Sequence, residues 1–353
     1  MTKKLREFLP SIMAVLLAMI IGGIIIMSKG ANPFAVYSDM FKAAFYQATP
    51  KSPPMSGLAK TLVEATPLIF AALAVMVSFK AGLFNIGAQG QMIAGGLAAA
   101  TVGVTFHNYV LGNIFVAMLA AIVAGFLWAG IAGYLKAKFG VHEVISTIML
   151  NYIMIELQNY FLNGFLKDKM SQNIQTEKVF EGTRLPLFFA DITKQKLNLG
   201  FILAILAVIG VYLFFKYFKK GFEMKSVGYS DTVAENAGIN PKLITVLAMG
   251  MAGALAGMGG AERVLGGSAS YAYTDQIMSD IGFAGISVAL LGKNNPIGIF
   301  IASIFYASLN IGGQILQSKY HIDKEIVGVI QALILLFVAG ERMFDFVKKG
   351  KVK

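Results

Sequence analysis

The residues from Ala81 to Leu135 form an uninterrupted stretch without a single Asp, Glu, Lys or Arg. A helix of roughly 20 mainly apolar residues crosses the bilayer core, so a charge-free stretch of this length predicts membrane-spanning helices. Similar windows recur along the chain, in which 56% of the 353 residues are hydrophobic and 14% are charged. Because this composition leaves too little polar surface for a water-soluble globule, we interpret the chain as an integral membrane protein.

The apolar windows predict one all-α membrane domain over residues 1–353 with ten spans. The predicted spans are 9–27, 59–79, 89–105, 110–135, 144–165, 197–215, 243–261, 279–291, 296–317 and 326–340. The first window follows the basic segment MTKKLREF, as in a signal peptide, but it is long and has no clear small-residue cleavage site, so we expect it to stay as a span. Glycine clusters and Pro296 make 81–96 and 282–296 the places where helices are expected to break.

The positions of Lys and Arg predict that both termini lie in the cytoplasm, because basic residues resist translocation. With this orientation the inside segments hold Lys80, Lys136, Lys293 and the basic tail 342–353. Two long outside segments, near 28–58 and 167–196, are poor indicators of orientation. The net charge of +11 is explained by this bias, and no basic face interleaved with aromatic residues predicts nucleic-acid binding.

Motifs of enzymes and metal sites are not found in the sequence. The chain has no cysteine, and its three histidines are scattered, so neither disulfides nor a metal site is predicted. GMGGAE has Glu262 where a dinucleotide fingerprint needs glycine, and HEVIS has Ser146 where a zinc protease has its second histidine. We therefore expect no catalytic residue and no phosphate loop in this chain.

The inside loop 216–242 contains a short helical pattern, SDTVAENAGI. Ser230 is a suitable N-cap, Asp231 lies in the predicted first turn, and Gly238 is a suitable C-terminal stop. The predicted helix, about 230–238, is too short to be stable alone in water. It is therefore expected to dock, either on the protein's own cytoplasmic ends or on another protein.

Several segments resemble the membrane subunits of bacterial ATP-binding-cassette (ABC) importers. The similar segments are GLFNIGAQGQ (82–91), HEVISTIMLNYI (142–153), SVGYSDTVAENAGI with the later GALAGMGGA (226–261), and GFAGISVALLGKNNPIGI (282–299). They are most similar to the nucleoside-uptake branch of the family that also contains ribose and branched-chain amino-acid permeases. Ribose-type permeases carry a GIDLS-like segment where this chain has LFNIGAQGQ, and the resemblance covers most of residues 61–340.

The resemblance implies a permease of the bacterial cytoplasmic membrane that imports nucleosides, with an arrangement like type II importers and two related halves. It implies three partners: a second homologous permease subunit, a cytoplasmic ATPase that binds ATP and Mg, and an extracytoplasmic substrate-binding lipoprotein. This chain would form half of the pathway, bind no cofactor and contact membrane lipid. The loop helix would be the coupling helix that contacts the ATPase, through Ser230, Asp231, Ala234, Glu235, Asn236 and Gly238.

Side-chain amides inside the apolar windows are the first candidates for the solute pathway. Asn85, Gln89 and Gln91 lie in the charge-free stretch, where they must face protein or a water-filled path. They either hydrogen-bond neighbouring helices or meet solute hydroxyls and base edges. The other polar candidates inside predicted spans are Asn151, Glu156, Asn310 and Gln314. Aromatic residues such as Phe84, Tyr152, Phe283 and Tyr306 are able to stack on a base, but most of the 27 Phe and 13 Tyr are expected to face lipid, pack helices or lie at interfaces.

Glu156 leaves alternatives open. It lies 13 residues beyond Glu143, about 20 Å deeper along a helix, where a carboxyl must be paired, neutral or beside a water-filled cavity. As a proton carrier it would indicate a secondary transporter driven by an ion gradient, which has no use for a coupling helix. An ABC permease for a simple sugar or another small polar solute is a further alternative.

Overall fold

The computed structural model describes residues 3–47, 49, 52–107, 112–268 and 270–340. The α-helices of the described residues are α1 (Lys3–Ser28), α2 (Pro33–Phe45), α3 (Ser56–Lys80), α4 (Ala88–Thr105), α5 (Ile114–Phe139), α6 (Glu143–Asn163), α7 (Ala190–Thr193), α8 (Leu199–Tyr217), α9 (Lys219–Tyr229), α10 (Asp231–Asn236), α11 (Pro241–Leu265), α12 (Ile281–Leu291), α13 (Pro296–Tyr320) and α14 (Glu325–Ala339). The prediction of an all-α chain is confirmed for these residues, where the only β pairings are isolated bridges. The predicted basic tail 342–353 lies outside the described residues.

Six of the described helices, namely α1, α3, α5, α8, α11 and α13, are long and apolar enough to cross a membrane. Each of the other predicted windows also contains a helix, but α12 has 11 residues and α14 has 15. At 1.5 Å per residue these two rise only about 16 and 22 Å, less than the roughly 30 Å hydrocarbon core. The structure therefore supports multiple spans without establishing ten. Helices α2 and α9 were not predicted, since their sequences lack a long apolar window.

Helix α3 lies at the centre of the bundle. Every residue from Ala65 to Ser78 is buried, because α3 packs against α8, α11, α12 and α13. One hydrophobic cluster surrounds it with α1, α2, α8 and α12 to α14. Another joins it to α4, α5, α6 and α11. A continuous apolar helix with neighbours on all sides is expected at the centre of a membrane bundle.

Helix α11 crosses α5 at very close range. A Cβ atom added at Gly253 would stand 2.0 Å from the carbonyl oxygen of Gly125, and one added at Gly257 would stand 2.4 Å from that of Ala121. The two glycines of α11 are four residues apart, a spacing that allows two helix backbones to approach closely in a membrane. The GALAGMGGA segment is thus a packing surface within the chain.

The bundle has two distinct ends. At the first, called the α10 end, α9 packs against α10, and Gly82 after α3 touches Gly228 of α9. At the opposite end the segment 164–198 lies on the loop 266–280, where the backbone N–H of Thr176 donates to the carbonyl of Tyr273 at 2.9 Å.

Helix α12 starts beside the start of α4, where a Cβ atom added at Gly282 would stand 2.3 Å from the backbone nitrogen of Gln89. Gly285 packs against Ala71 of α3. Because Ala71 lies near the middle of α3, the N-terminus of α12 lies about halfway between the two ends.

Candidate functional site

A cavity of about 510 Å³ lies between α3, α12, α13 and α14. It combines aromatic, amide, hydroxyl and carboxylate side chains, whereas the grooves between α1 and α13 and between α4, α5 and α6 are almost entirely apolar. Inside a membrane protein, convergent polar groups in a concave apolar site are typical of solute binding. We call this space the α12 cavity, and its polar and aromatic lining residues are Glu64, Ser279, Asp280, Phe283, Ser287, Tyr306, Asn310 and Gln331.

One part of the α12 cavity is formed where α12 begins. Asp280 and Phe283 stand at its N-terminus, and Phe283 is 43% exposed. Tyr306 lies on α13 about 15 Å along the helix from Pro296. Phe283 and Tyr306 are two of the four aromatic residues that the sequence suggested for stacking, and the structure brings them to one cavity.

Amides line the part of the cavity nearer the opposite end. Gln331 of α14 donates from Nε2 to Oδ1 of Asn310 at 2.7 Å. Beyond them, Gln314 accepts a 2.7 Å hydrogen bond from the ammonium of Lys60, and its side chain is exposed. Of the predicted pathway candidates, Asn310 thus lines the cavity, while Gln314 lies about one turn farther along α13.

An ion pair stands in the same region. Nη1 of Arg263, near the C-terminus of α11, lies 3.2 Å from Oε2 of Glu64 on α3. Both side chains are partly buried, so their charges are screened less than those of a surface pair. The pair joins α11 to the cavity wall and neutralises one of the two carboxylates that line it.

The three amides of the charge-free stretch are satisfied within the chain. Asn85 and Gln91 hydrogen-bond each other through both amide groups, at 3.2 and 3.0 Å. Gln89 donates to the carbonyl of Met278 and accepts from the N–H of Gly282 at 2.8 Å. All three amides are buried and none lines the α12 cavity, so their contacts favour the packing interpretation over solute contact.

Asn151 and Glu156 diverge on α6, as their spacing predicts. Asn151 is buried, accepts from the N–H of Gly90 at 2.8 Å and donates to the carbonyl of Ile86 at 3.0 Å, which ties α6 to the segment before α4. Glu156 is exposed on another face of α6. Glu156 does not line the α12 cavity, whereas Asn310 does. The two predicted pathway candidates therefore do not belong to one site.

The loop helix at the α10 end has the predicted local structure. Oγ of Ser230 accepts from the N–H of Val233 at 3.4 Å, and Gly238 has φ 77°, which glycine adopts easily. Ala234 is 1% exposed and packs inside the chain, so it is not available to a partner. The exposed predicted coupling residues are Asp231, Glu235, Asn236 and Gly238.

Sequence reasoning did not single out Glu64, Asp280 or Gln331. Glu64 and Gln331 lie inside predicted spans, and the rule that drew attention to Glu156, that an ionisable or strongly polar residue in a span needs a partner or a cavity, applies to them equally. Asp280 lies at the very start of a predicted span, where a carboxylate ordinarily reaches water. Only the structure shows that it lines the α12 cavity.

The chain matches the family model described as "Branched-chain amino acid transport system / permease component" over residues 57–339. The guanosine ABC transporter permease protein NupP of Bacillus subtilis is 34% identical to it, over 100% of this chain and 99% of the relative. The nucleoside ABC transporter permease protein NupB of Lactococcus lactis subsp. cremoris is 35% identical, over 96% and 92%. The glucose ABC transporter permease protein TsgB13 of Haloferax volcanii is 31% identical, over 96% and 89%. No solved structure matches the chain.

Proposed function

Because the chain belongs to the branched-chain amino acid transport system / permease component family, we propose that it is the permease subunit of an ABC importer that takes up nucleosides. The family resemblance predicted from the sequence is confirmed, and the chain is a transport subunit, not an enzyme. The observation that carries the choice of nucleosides is the match along nearly the whole chain to permeases named for guanosine and for nucleosides.

The chemistry of the α12 cavity supports this choice. Phe283 and Tyr306 offer aromatic surfaces on which a base can stack. Asn310 and Gln331 offer both donors and acceptors to base edges and ribose hydroxyls. A simple sugar is the second candidate, because the glucose permease of Haloferax volcanii is also similar along most of the chain. The two aromatic residues of the cavity favour a nucleoside, because a planar base can stack on an aromatic ring.

The proposed topology has ten membrane passes, formed by α1, α3 to α6, α8 and α11 to α14, with both termini in the cytoplasm and the α10 end on that side. Helices α4 and α12 each begin inside the bundle after a glycine-containing non-helical segment, and Gln89 bonds one start to the other. Two helix starts that meet in this way support a fold of two related halves. A broken helix at membrane depth is tolerated where protein surrounds it.

We propose a second permease subunit against the exposed face of α6. Glu156 lies on this face about 20 Å from the helix start, and its neighbours Tyr152 and Tyr160 are 63% and 73% exposed. A carboxylate facing lipid at that depth costs about 2.5 to 3.5 kcal/mol. Cover by a second subunit, with water between the two, removes that cost.

The ATPase is proposed to dock at the α10 end and the lipoprotein at the opposite end. A groove of about 650 Å³ runs beside α10 and α11, with the carboxylates of Asp231 and Glu235 along it. The ATPase bound there would hold ATP and Mg. At the opposite end Phe165, Met170 and Phe189 are 69%, 95% and 67% exposed, an apolar surface suited to a delivering protein.

Uptake of labelled guanosine in cells that carry the chain with its partner subunits tests the proposal. We expect Phe283→Leu, which keeps an apolar side chain but removes the ring, to lower guanosine uptake about tenfold, since base stacking is worth about 1 to 3 kcal/mol. The control is Phe115→Leu, because Phe115 is 75% exposed at the start of α5, away from the cavity. Equal uptake by the two variants, or uptake of glucose but not guanosine, would contradict the nucleoside assignment.

A further inference from the structure

Asp280 has a left-handed backbone conformation, although its side chain does not cap the helix that follows it. Its φ of 59° places it in the left-handed region, which residues other than glycine adopt less readily, although Asp and Asn tolerate it better than most. It occupies the N-cap position of α12, yet its side chain makes no capping hydrogen bond. An aspartate at this position ordinarily accepts from the helix N-terminus. Strained residues of this kind gather at functional sites, and Asp280 lines the α12 cavity.

The N-terminus of α12 is already occupied by groups of the protein. The N–H of Gly282 donates to Oε1 of Gln89 at 2.8 Å, and that of Ala284 to the carbonyl of Asp280 at 2.9 Å. The start of a helix otherwise attracts anions through its free N–H groups. Here that attraction is reduced, and the carboxylate of Asp280 adds a negative charge beside it.

The lining of the α12 cavity contains two carboxylates, Glu64 and Asp280, and no Lys or Arg. Arg263 pairs with Glu64 at 3.2 Å. Among the described residues, no Lys, Arg or His lies within ion-pair distance of Asp280, whose Oδ2 accepts a 3.3 Å hydrogen bond from Ser279. The cavity therefore carries one negative charge without an ion-pair partner among the described residues, and Asp280, which bears it, is exposed at the cavity wall.

We propose that Asp280 is a specificity-determining residue, which lets uncharged solutes enter the α12 cavity and repels anionic ones. For the proposed nucleoside importer, on which this inference rests, the rejected class is the nucleoside phosphates, whose phosphate carries about −1.5 to −2 charges at pH 7. A nucleoside and its 5′-phosphate share base and ribose, so amides and aromatic rings do not separate them. A fixed carboxylate separates the two solutes, because it repels the phosphate group and not the uncharged nucleoside.

The charge is measurable without transport, because the chain contains no cysteine. Ala284 lines the cavity one turn beyond Asp280, about 6 Å along the helix. In membrane fragments open on both faces, the full chain with Ala284→Cys is treated with a cationic and an anionic methanethiosulfonate reagent. We expect Asp280→Asn to lower the ratio of the cationic to the anionic reaction rate by about tenfold or more.

The control variant is Asp275→Asn, which removes an equal charge from the neighbouring loop outside the cavity lining. It should leave the ratio nearly unchanged, and Asp280→Glu should keep it high. Asn tolerates the left-handed conformation, so Asp280→Asn is expected to fold. A ratio that does not depend on Asp280, or falls equally in both asparagine variants, overturns the proposal.

Protection of the same cysteine separates this inference from the proposed function. Guanosine should slow modification in every variant, whereas guanosine 5′-monophosphate should slow it only in Asp280→Asn. If the rate ratio falls as expected but guanosine protects in no variant, the anionic filter is supported and the nucleoside pathway is contradicted. If guanosine protects but the monophosphate protects equally with and without Asp280, the filter is wrong and the pathway stands.

Discussion

The close crossing of α5 and α11 predicts that a single methyl group at Gly253 destabilises the bundle. In Gly253→Ala the new Cβ would stand 2.0 Å from the carbonyl oxygen of Gly125 and 2.4 Å from Cβ of Ala129, whereas ordinary contact begins at 3.4 Å. The obstruction on one side is backbone, which has no rotamer to change. The two helices must therefore separate by roughly 1.4 Å at the crossing.

Such a separation weakens the contacts along the whole interface. A gap of 0.5 to 1 Å already removes about a quarter to a half of the dispersion energy of each atom pair, and overpacked sites typically lose about 1 to 3 kcal/mol. Replacing glycine by alanine in a helix recovers up to about 1 kcal/mol. We expect a net loss of about 1 to 2 kcal/mol in the free energy of unfolding for Gly253→Ala.

The matched control is Gly130→Ala on α5, because a Cβ at Gly130 meets no atom within 4 Å. This variant should be as stable as the unaltered chain or more stable by up to about 1 kcal/mol. Unfolding of the purified chain by titration with SDS in mixed micelles, followed by circular dichroism, measures both variants. Equal stability of Gly253→Ala and Gly130→Ala would refute the close-crossing argument.

Three further predictions concern other parts of the chain. Gln89→Leu leaves a buried N–H and a buried carbonyl without their partner and should lower the free energy of unfolding by about 1 to 3 kcal/mol in the same SDS titration, without changing which nucleosides are taken up. Lys319 donates a hydrogen bond that holds the pKa of Asp39 below its usual value. The stability that this contact contributes is therefore present above about pH 4 and is lost as the pH falls through the lowered pKa; thermal unfolding between about pH 7 and 3 should show a decline that Asp39→Asn reduces. Cysteines placed at Lys29 and Lys219 should react with an impermeant thiol reagent from opposite faces of the membrane, and reaction of both from one face would contradict the proposed topology.

The positions of the helices followed from local composition. Each of the ten apolar windows contains a helix, because a membrane leaves backbone N–H and C=O groups no partner except those of their own segment. The length of α12, in contrast, could not be predicted from local composition. Gly282 and Gly285 carry no polar side chain that would mark a helix start, and only their contacts with α4 and α3 show that the helix begins inside the bundle.

The sequence predicted which types of residue form the candidate site, but not where in the fold these residues lie. A polar residue in an apolar window must find a partner, so the sequence pointed to Asn85, Gln89 and Asn310 without naming what they touch. Gln89 bonds the N–H of Gly282, which is 193 positions away. The hydrophobic pattern of neither segment predicts that contact. The position of Glu64 inside a predicted span could have drawn attention to it, but its partner Arg263, 199 positions away, could not be predicted.

The sequence by itself determined that the chain is a helical membrane protein of a permease family, because apolar length and family motifs are properties of short segments. Only the tertiary structure decided which polar residues face a cavity and which bond other helices, since this depends on the rotation and depth of each helix in the bundle. Asn310 and Gln89 are both amides in apolar segments. The packing of α12 leaves Asn310 on the cavity wall and turns Gln89 into a link between two helix starts.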